Sequence, residues 1–242
     1  MTSNHRTRVS AIIAAYNEEV TIGGVLDALR LSPLIDEIIV VSDGSTDRTV
    51  EIARSRDVRT IAVRKNRGKG YAMRLGVQYA EHDVFFFVDG DMVNVTQDHI
   101  ESLVAPVASG ECEMNVGVRY RGAILDFMHL VLHVGPVLSG IRVMRRDVFQ
   151  TVPIRYMDRF KIETALNYFC QRAGFRQLNT VIRGLGHVIK EQKRGLNQGL
   201  RRRLEMTREV FFLHFDLYLF QGWRSHRPAE QLGTDYDLFE NP

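Results

Sequence analysis

An apolar run that ends in two acidic residues is the feature that most constrains the fold of this chain. Residues 85–88 read Phe-Phe-Phe-Val, and Asp89, Gly90 and Asp91 follow directly. Buried strands of parallel sheets read as continuous apolar runs, and open α/β sheets carry their chemistry just beyond the C-terminal strand ends. Two carboxylates about 6–7 Å apart along an extended backbone suit Mg²⁺ or Mn²⁺, which proteins hold through one or two carboxylates plus substrate phosphates. The alternative is a surface turn, since Asp-Gly is a common turn pair.

Three further apolar runs precede this segment, and residues at helical spacing follow each of them. The predicted strands cover residues 9–15, 38–41, 58–63 and 85–88. This alternation of strand and helix predicts an α/β fold with a doubly wound, mostly parallel sheet and flanking helices. We therefore expect the loops at the C-terminal strand ends to carry the function.

The loops at this predicted edge are polar. Asp43 ends the second strand, where its carboxylate is placed to accept hydrogen bonds from a base or a sugar. Asp47 is predicted to cap the following helix. Gly68, Lys69 and Gly70 offer open backbone amides and a cation just before a helix, which suits phosphate. Together the loops indicate a nucleotide diphosphate site.

Composition excludes few classes of protein. The 242 residues carry a formal net charge of +3, and 45% of them are hydrophobic, as in an ordinary globular protein. Cys112 and Cys170 give neither a metal spacing nor a disulfide framework, so we expect a reducing, cytoplasmic environment. The polar N-terminus shows no signal peptide, and no apolar stretch reaches the roughly 18 residues of a membrane-spanning helix.

Four motifs in order resemble the inverting glycosyltransferases of family 2. They are Ala-Tyr-Asn-Glu-Glu at residues 15–19, Val-Ser-Asp-Gly-Ser-Thr-Asp at 41–47, Asn-Arg-Gly-Lys-Gly at 66–70 and Asp-Gly-Asp at 89–91. The resemblance implies a GT-A fold that uses a nucleotide-diphosphate sugar with Mg²⁺ or Mn²⁺.

The same resemblance implies roles for individual residues. Those expected at the donor substrate are Ala15, Tyr16, Glu18, Asp43, Lys69, Asp89 and Gly90. Of these, Tyr16, Glu18 and Asp43 would line the nucleoside site, and Lys69 would lie near it or near its phosphates. Asp91 would ligate the metal, and Asp89 would approach the ribose or the metal.

The second half of the chain resembles the polyprenyl-phosphate hexosyltransferases of the dolichol-phosphate mannose synthase type. The matching segments are residues 117–120, 139–146 and 160–163. In that group, the arginines that match Arg119 and Arg142 hold the lipid phosphate. The resemblance therefore implies hexose transfer to a polyprenyl phosphate at the membrane surface.

The chemistry of the acceptor leaves two schemes open. A hydroxyl acceptor needs a carboxylate base, for which Glu163 is the first candidate and Asp158 the second. A phosphate acceptor is already anionic and needs positioning by arginine instead. Glu163 is alternatively a structural partner of an arginine in the site. His187, which follows a predicted strand at residues 178–182, is a candidate metal ligand or phosphate contact.

The C-terminal part of the chain is basic and then rich in aromatic residues. Residues 190–209 are basic, and 208–223 form one predicted helix that contacts an anionic membrane surface, the catalytic domain or a second protomer. We expect a glycosyltransferase domain over residues 1–195 and a helical appendage over 196–242, with a loosely held tail from residue 225. A peripheral contact with the inner face of the cell membrane and a homo-oligomer are further expectations, whereas nucleic acid is not an expected partner.

Two other classes of function compete with this reading. One is a phosphatase with an aspartyl nucleophile, which expects its Asp-x-Asp early in the chain and followed by Thr. Here Met92 follows Asp91, and three strand–helix units come first. The other is a nucleotide-binding module without catalytic activity.

Overall fold

The computed structural model describes residues 6–119, 139–158, 161–187, 213, 217 and 232–240. The strands are β1 (Val9–Ala15), β2 (Glu37–Asp43), β3 (Arg59–Val63), β4 (Val84–Asp89), β5 (Met92–Val93), β6 (Met114–Arg119), β7 (Arg142–Arg145), β8 (Gln177–Ile182), β9 (Gly186–His187) and β10 (Tyr236–Phe239). The helices are α1 (Ile22–Arg30), α2 (Thr49–Arg54), α3 (Lys69–Tyr79), α4 (Gln97–Ala108), α5 (Arg146–Gln150) and α6 (Lys161–Arg172). The four strands and three helices expected in the first ninety residues are confirmed.

The main sheet has eight strands in the order β10-β3-β2-β1-β4-β7-β6-β8. Strands β3, β2, β1 and β4 are parallel, as are β6 and β8, whereas β7 and β10 run antiparallel to their neighbours. The prediction of an α/β fold with a mostly parallel sheet is confirmed. The strand order reverses at β1, which lies between β2 and β4, and ligands of such sheets bind outside the carboxyl ends at that point.

Two apolar clusters cover the two faces of this sheet. Successive side chains of a strand point to opposite faces, so Phe85 and Phe87 enter one cluster and Phe86 and Val88 the other. The first cluster is completed by α3, α5 and α6, and the second by α1, α2 and α4. Because β4 is buried on both faces, its side chains are apolar up to the residue at which the strand ends.

The C-terminal strand corrects one expectation from the sequence. The tail was expected to be loosely held, yet β10 pairs antiparallel with β3 through residues 236–239. The hydroxyls of Tyr79 and Tyr236 are 2.6 Å apart, and the Arg54 guanidinium lies 4.0 Å from the centre of the Phe239 ring. The expectation is therefore wrong for this strand, whereas the domain division at residue 195 stays a prediction.

Two residues of the predicted aromatic helix lie inside the domain. Leu213 and Leu217 are helical, each is 1% exposed, and both belong to the cluster formed with α3, α5 and α6. The basic segment and the rest of the predicted helix lie outside the described residues. Within the described ranges, no helix has the length and apolarity needed to cross a membrane.

We expect the Leu217→Ala substitution to destabilise the protein, because it empties a buried site in the core. The free energy of unfolding should fall by about 2–4 kcal/mol, measured by urea denaturation followed by circular dichroism. Leu31→Ala is the matched control, since Leu31 is 77% exposed; its effect should stay below about 0.5 kcal/mol. Equal, small effects of both substitutions would contradict the packing of Leu217 on the domain.

Candidate active site

The register of the central strands brings the sequence motifs to one edge. Ala15 pairs with Ser42 across β1 and β2, and Ala14 pairs with Asp89 across β1 and β4. The carboxyl ends of these three strands are therefore level, as parallel pairing requires. Beyond β4, Gly90 and Asp91 form a turn that leads into β5. The sequence motifs therefore meet at this edge of the sheet, as expected.

A second, two-stranded sheet adds residues from the end of the fold. Strand β9 pairs antiparallel with β5, so that His187 faces Met92 across the pair and Gly186 faces Val93. The backbone of His187 thus lies opposite the residue that follows Asp91. The backbones of the three candidate metal ligands from the sequence therefore lie in the same part of the fold. These residues are Asp89, Asp91 and His187.

Lys69 joins two carboxylates from different halves of the chain. Its Nζ lies 2.5 Å from Asp89 Oδ1 and 2.7 Å from Glu163 Oε1. The side chains of Lys69 and Glu163 are only 15% and 9% exposed. Burial lowers the pKa of Lys69, but the carboxylates of Asp89 and Glu163 outweigh it and leave the pKa above its usual value. Lys69 is therefore a cation at neutral pH, next to the end of β4.

Gly140 gives this cation and its partner the space they occupy. A Cβ atom on Gly140 would lie 2.0 Å from Asp89 Oδ2 and 2.2 Å from Lys69 Nζ. Any larger residue would displace the ion pair. The sequence showed the motif around Gly140 but not this role, because the contact is with residues more than fifty positions away.

Arg142 is enclosed beside the same cluster. It is 0% exposed, and its guanidinium donates to the carbonyls of Ser139 and Glu163 and to Asn167 Oδ1. Burial lowers the pKa of Arg142, and the carboxylates of Glu163 and Asp89 act in the opposite direction. The sequence did not identify Asn167, although its position one helical turn after Glu163 places both on the same face of α6.

Asp43 organises the loop before α3. Its Oδ1 accepts from the N–H of Arg67 at 2.8 Å, and its Oδ2 accepts from the N–H of Gly68 at 2.7 Å. Gly44 adopts a φ of +73°, and a Cβ there would lie 2.5 Å from the backbone nitrogen of Asn66. The Gly68 amide was expected to be open to phosphate, and this expectation is wrong because the amide binds Asp43. A contact of Asp43 with a base or sugar stays a prediction.

The loop that follows β1 is held in place by threonine side chains that the sequence analysis did not identify. The N–H of Glu18 donates to Thr49 Oγ1 at 2.8 Å, and Thr21 Oγ1 donates to the carbonyl of Gly90 at 2.7 Å. A Cβ on Gly90 would meet Ala15 Cβ at 3.1 Å and Glu18 Cγ at 3.3 Å. The first and fourth motifs are therefore in contact. Tyr16 is half-buried in this loop.

Asp47 was predicted to cap the second helix, but the N-cap residue of α2 is Arg48, which makes no side-chain cap, and Asp47 lies one residue before it. Asp47 Oδ1 accepts from the N–H of Thr49 at 3.0 Å, and its Oδ2 accepts from the N–H of Glu19 at 3.1 Å. Burial raises the pKa of Asp47, but its hydrogen bonds with Thr49 and Glu19 outweigh this and leave the pKa lowered. Asp47 therefore links the segment before α1 to the first residue of α2.

Arg119 and Asp158 are the remaining candidate residues from the sequence. Arg119 ends β6 and pairs with Ile182 of β8; its side chain lies outside the described part of the structure. The carbonyl of Asp158 accepts from the N–H of Lys161 at the start of α6, the helix that carries Glu163. Asp158 is therefore placed by this helix entry.

The acidic residues at the edge fit a cation that binds together with phosphate. Within the described side chains, no group of three or more His, Cys, Asp or Glu residues forms a self-sufficient metal cage. Mg²⁺ and Mn²⁺ are commonly held by one or two carboxylates plus substrate phosphates. Asp89 and Asp91 match that donor set, since they are the acidic residues at the end of β4.

Comparison with known proteins identifies a family domain in the first part of the chain. Residues 10–128 match the model described as glycosyl transferase family 2. The matched segment is a glycosyl transferase family 2 domain. The matched segment contains nearly all of β1, the whole of β2 to β6, and all four sequence motifs.

Two similar curated proteins come from bacteria. Glucosyl-3-phosphoglycerate synthase from Mycobacterium tuberculosis (strain ATCC 25618 / H37Rv) is 30% identical over 142 residues, 55% of this chain and 41% of the relative. 4,4'-Diaponeurosporenoate glycosyltransferase from Staphylococcus haemolyticus (strain JCSC1435) is 33% identical over 155 residues, 60% of this chain and 39% of the relative. The chain thus spans about two fifths of the length of these relatives.

Solved structures share the fold over nearly the whole chain. Glucosyl-3-phosphoglycerate synthase from Mycobacterium tuberculosis, in complex with Mn²⁺, uridine diphosphate and glucosyl-3-phosphoglycerate, has a TM-score of 0.73 at 22% identity, covering 98% of this chain and 88% of that chain. Its complex with Mn²⁺, UDP-glucose and phosphoglyceric acid has a TM-score of 0.69 at 25% identity and covers 94% and 88%. The fold of the chain is GT-A.

We expect the Gly140→Ala substitution to displace the Lys69–Asp89 pair, because the new methyl group overlaps both partners. The free energy of unfolding should fall by about 1–3 kcal/mol, measured by urea denaturation. Gly24→Ala is the matched control, since a Cβ on Gly24 meets nothing within 4 Å. A Gly140→Ala protein as stable as the control would argue against the close packing of Gly140 on this pair.

Proposed function

We propose that the protein is an inverting, metal-dependent glycosyltransferase that takes a hexose from a nucleotide-diphosphate sugar. The observation that carries the proposal is the convergence of Asp89, Asp91 and Lys69 at the carboxyl ends of the central strands, beside the loop that Asp43 organises. The ammonium group of Lys69 complements a diphosphate, and the carboxylates of Asp89 and Asp91 complement a divalent cation. UDP-glucose is the proposed donor, since it is bound in a related crystal structure of glucosyl-3-phosphoglycerate synthase.

Asp91, with Asp89 and His187, would hold the cation. The bound cation would supply positive charge that neutralises the leaving diphosphate. The chain itself supplies the ammonium of Lys69, which is charged at neutral pH because two carboxylates raise its pKa. Lys69 therefore adds to the electrostatic stabilisation of the leaving group without a change of protonation.

Other residues of the chain shape the donor site. Asp43 fixes the loop of Arg67 and Gly68 by accepting their N–H groups, so the loop is pre-organised next to the nucleoside. Glu18 lies next to Gly90 in the turn that carries Asp91. Tyr16, Glu18 and Asp43 are the proposed nucleoside contacts. A site that is ordered before the donor binds loses less conformational entropy on binding.

The acceptor that we propose is a polyprenyl phosphate, as the resemblance of the second half of the chain implies. Arg119 would then position its phosphate. Cytoplasmic location with peripheral contact to the inner face of the membrane follows from that acceptor and is part of the proposal. Self-association stays a prediction.

A hydroxyl acceptor is the second candidate, and the surroundings of Arg142 favour it. Four donor contacts of its guanidinium already reach Ser139, Glu163 and Asn167. Arg142 thus has a structural role that a phosphate ligand would have to disturb. In this scheme Glu163, or otherwise Asp158, takes the hydroxyl proton as general base.

We expect UDP-glucose with Mn²⁺ to raise the melting temperature of the protein, because a ligand that binds only the folded state stabilises it. The Asp91→Ala substitution should remove the Mn²⁺-dependent part of this shift. Glu101→Ala, which alters an exposed carboxylate of α4, is the control and should keep it. An undiminished shift in Asp91→Ala would overturn the metal assignment, and no shift in the unmodified protein would overturn the proposed donor.

The Glu163→Gln substitution distinguishes the two acceptors. For transfer to a polyprenyl phosphate we expect kcat to change by less than about tenfold, because the acceptor needs no base. A fall of about 10²–10⁴-fold in kcat, with the donor KM unchanged, would show general-base catalysis on a hydroxyl acceptor. Radiolabelled hexose transfer from the donor to a polyprenyl phosphate and to 3-phosphoglycerate, measured in parallel, provides both rates.

A further inference from the structure

Strand β9 is short, and its position depends on the turn that precedes it. Its two residues pair with β5, and a Cβ on Gly186 would lie 2.8 Å from Val93 Cγ2, so the strands approach closely. Leu185, just before β9, is 8% exposed and belongs to the apolar cluster formed with α4. Arg183 and Gly184 form the exposed turn between β8 and β9, and Gly184 has a φ of +78°.

His99 contacts this turn from the first turn of α4. Its Nε2 lies 2.9 Å from the carbonyl oxygen of Arg183, and its Nδ1 accepts from the N–H of Thr96 at 3.3 Å. Since Nδ1 is the acceptor, the proton of a neutral imidazole is on Nε2, which therefore donates to Arg183. Thr96 Oγ1 accepts in return from the N–H of His99, which completes a capping box.

We propose that His99 is a positioning residue, whose Nε2–H anchors the Arg183 turn and thereby holds β9 opposite the Asp91 edge. The helix cap and the anchor use different nitrogens of one imidazole ring. The N-terminus of α4 is thus coupled to the strand that carries His187. This inference rests on the proposed function only where it links the position of β9 to cation and nucleotide binding.

Two substitutions separate the anchor from the cap. In His99→Glu, the carboxylate still accepts from the N–H of Thr96, since Glu is a preferred residue at this position of a capping box, but it cannot donate to the carbonyl of Arg183. In Thr96→Ala, the anchor stays and one half of the cap is lost. Thr96→Ala is therefore the matched control for helix stability.

Hydrogen exchange of residues 183–187 in the ligand-free protein tests the anchor directly. We expect exchange to be about three- to tenfold faster in His99→Glu, which corresponds to the loss of one ordinary hydrogen bond. The melting temperature of His99→Glu should equal or exceed that of the unmodified protein. Thr96→Ala should melt about 2–4 °C lower, with unchanged exchange in this segment. Unchanged exchange in His99→Glu, or equally fast exchange in Thr96→Ala, would overturn the anchor.

Titration with Mn²⁺ and uridine diphosphate, followed by isothermal calorimetry, tests the consequence for the site. We expect binding about three- to tenfold weaker in His99→Glu and unchanged in Thr96→Ala. Wild-type affinity in His99→Glu would show that the anchor has no role at the site and would overturn that part of the inference. If the unmodified protein does not bind Mn²⁺ and uridine diphosphate, the proposed function fails, whereas hydrogen exchange still decides the anchor.

Discussion

The Lys69 ammonium between Asp89 and Glu163 is the interaction on which the site depends. It joins the end of β4 to α6 with one largely buried charge, and the two carboxylates offset the cost of removing that charge from water. The contact leaves no room for a side chain at position 140, so it also determines how closely the chain before β7 approaches β4. The cation is charged and positioned before any ligand binds.

The sheet explains how residues from distant parts of the chain reach this cation. Parallel pairing of β2, β1 and β4 levels their carboxyl ends, which delivers Asp43, the first loop and Asp89 from the first half of the chain. The antiparallel β7 then inserts beside β4, with Arg142 opposite Phe87. This reversal brings residues 139–142 to the same edge, and α6 adds Glu163. One sheet edge therefore carries the residues proposed for the donor and those proposed for the acceptor.

Much of the polar chemistry at this edge is internal to the protein. Asp43 binds loop amides, Asp47 binds two helix entries, and Arg142 binds main-chain carbonyls. Buried polar groups need such partners, since an unmade hydrogen bond is costly in the interior. These motif residues thus have a structural role beside the substrate role proposed for them.

The sequence by itself determined the strands β1 to β4, their mostly parallel arrangement and the polar residues at their ends. These features are local, because a buried strand is apolar along its length and the chain becomes polar where the sheet edge meets solvent. The tertiary structure alone decided that Lys69 binds Glu163, 94 residues away, that the loop amides bind Asp43, and that β10 joins β3 at the sheet edge. Such pairings depend on the path of the whole chain and on which partner satisfies a buried charge or an open strand edge, and neither is encoded in the spacing of a motif.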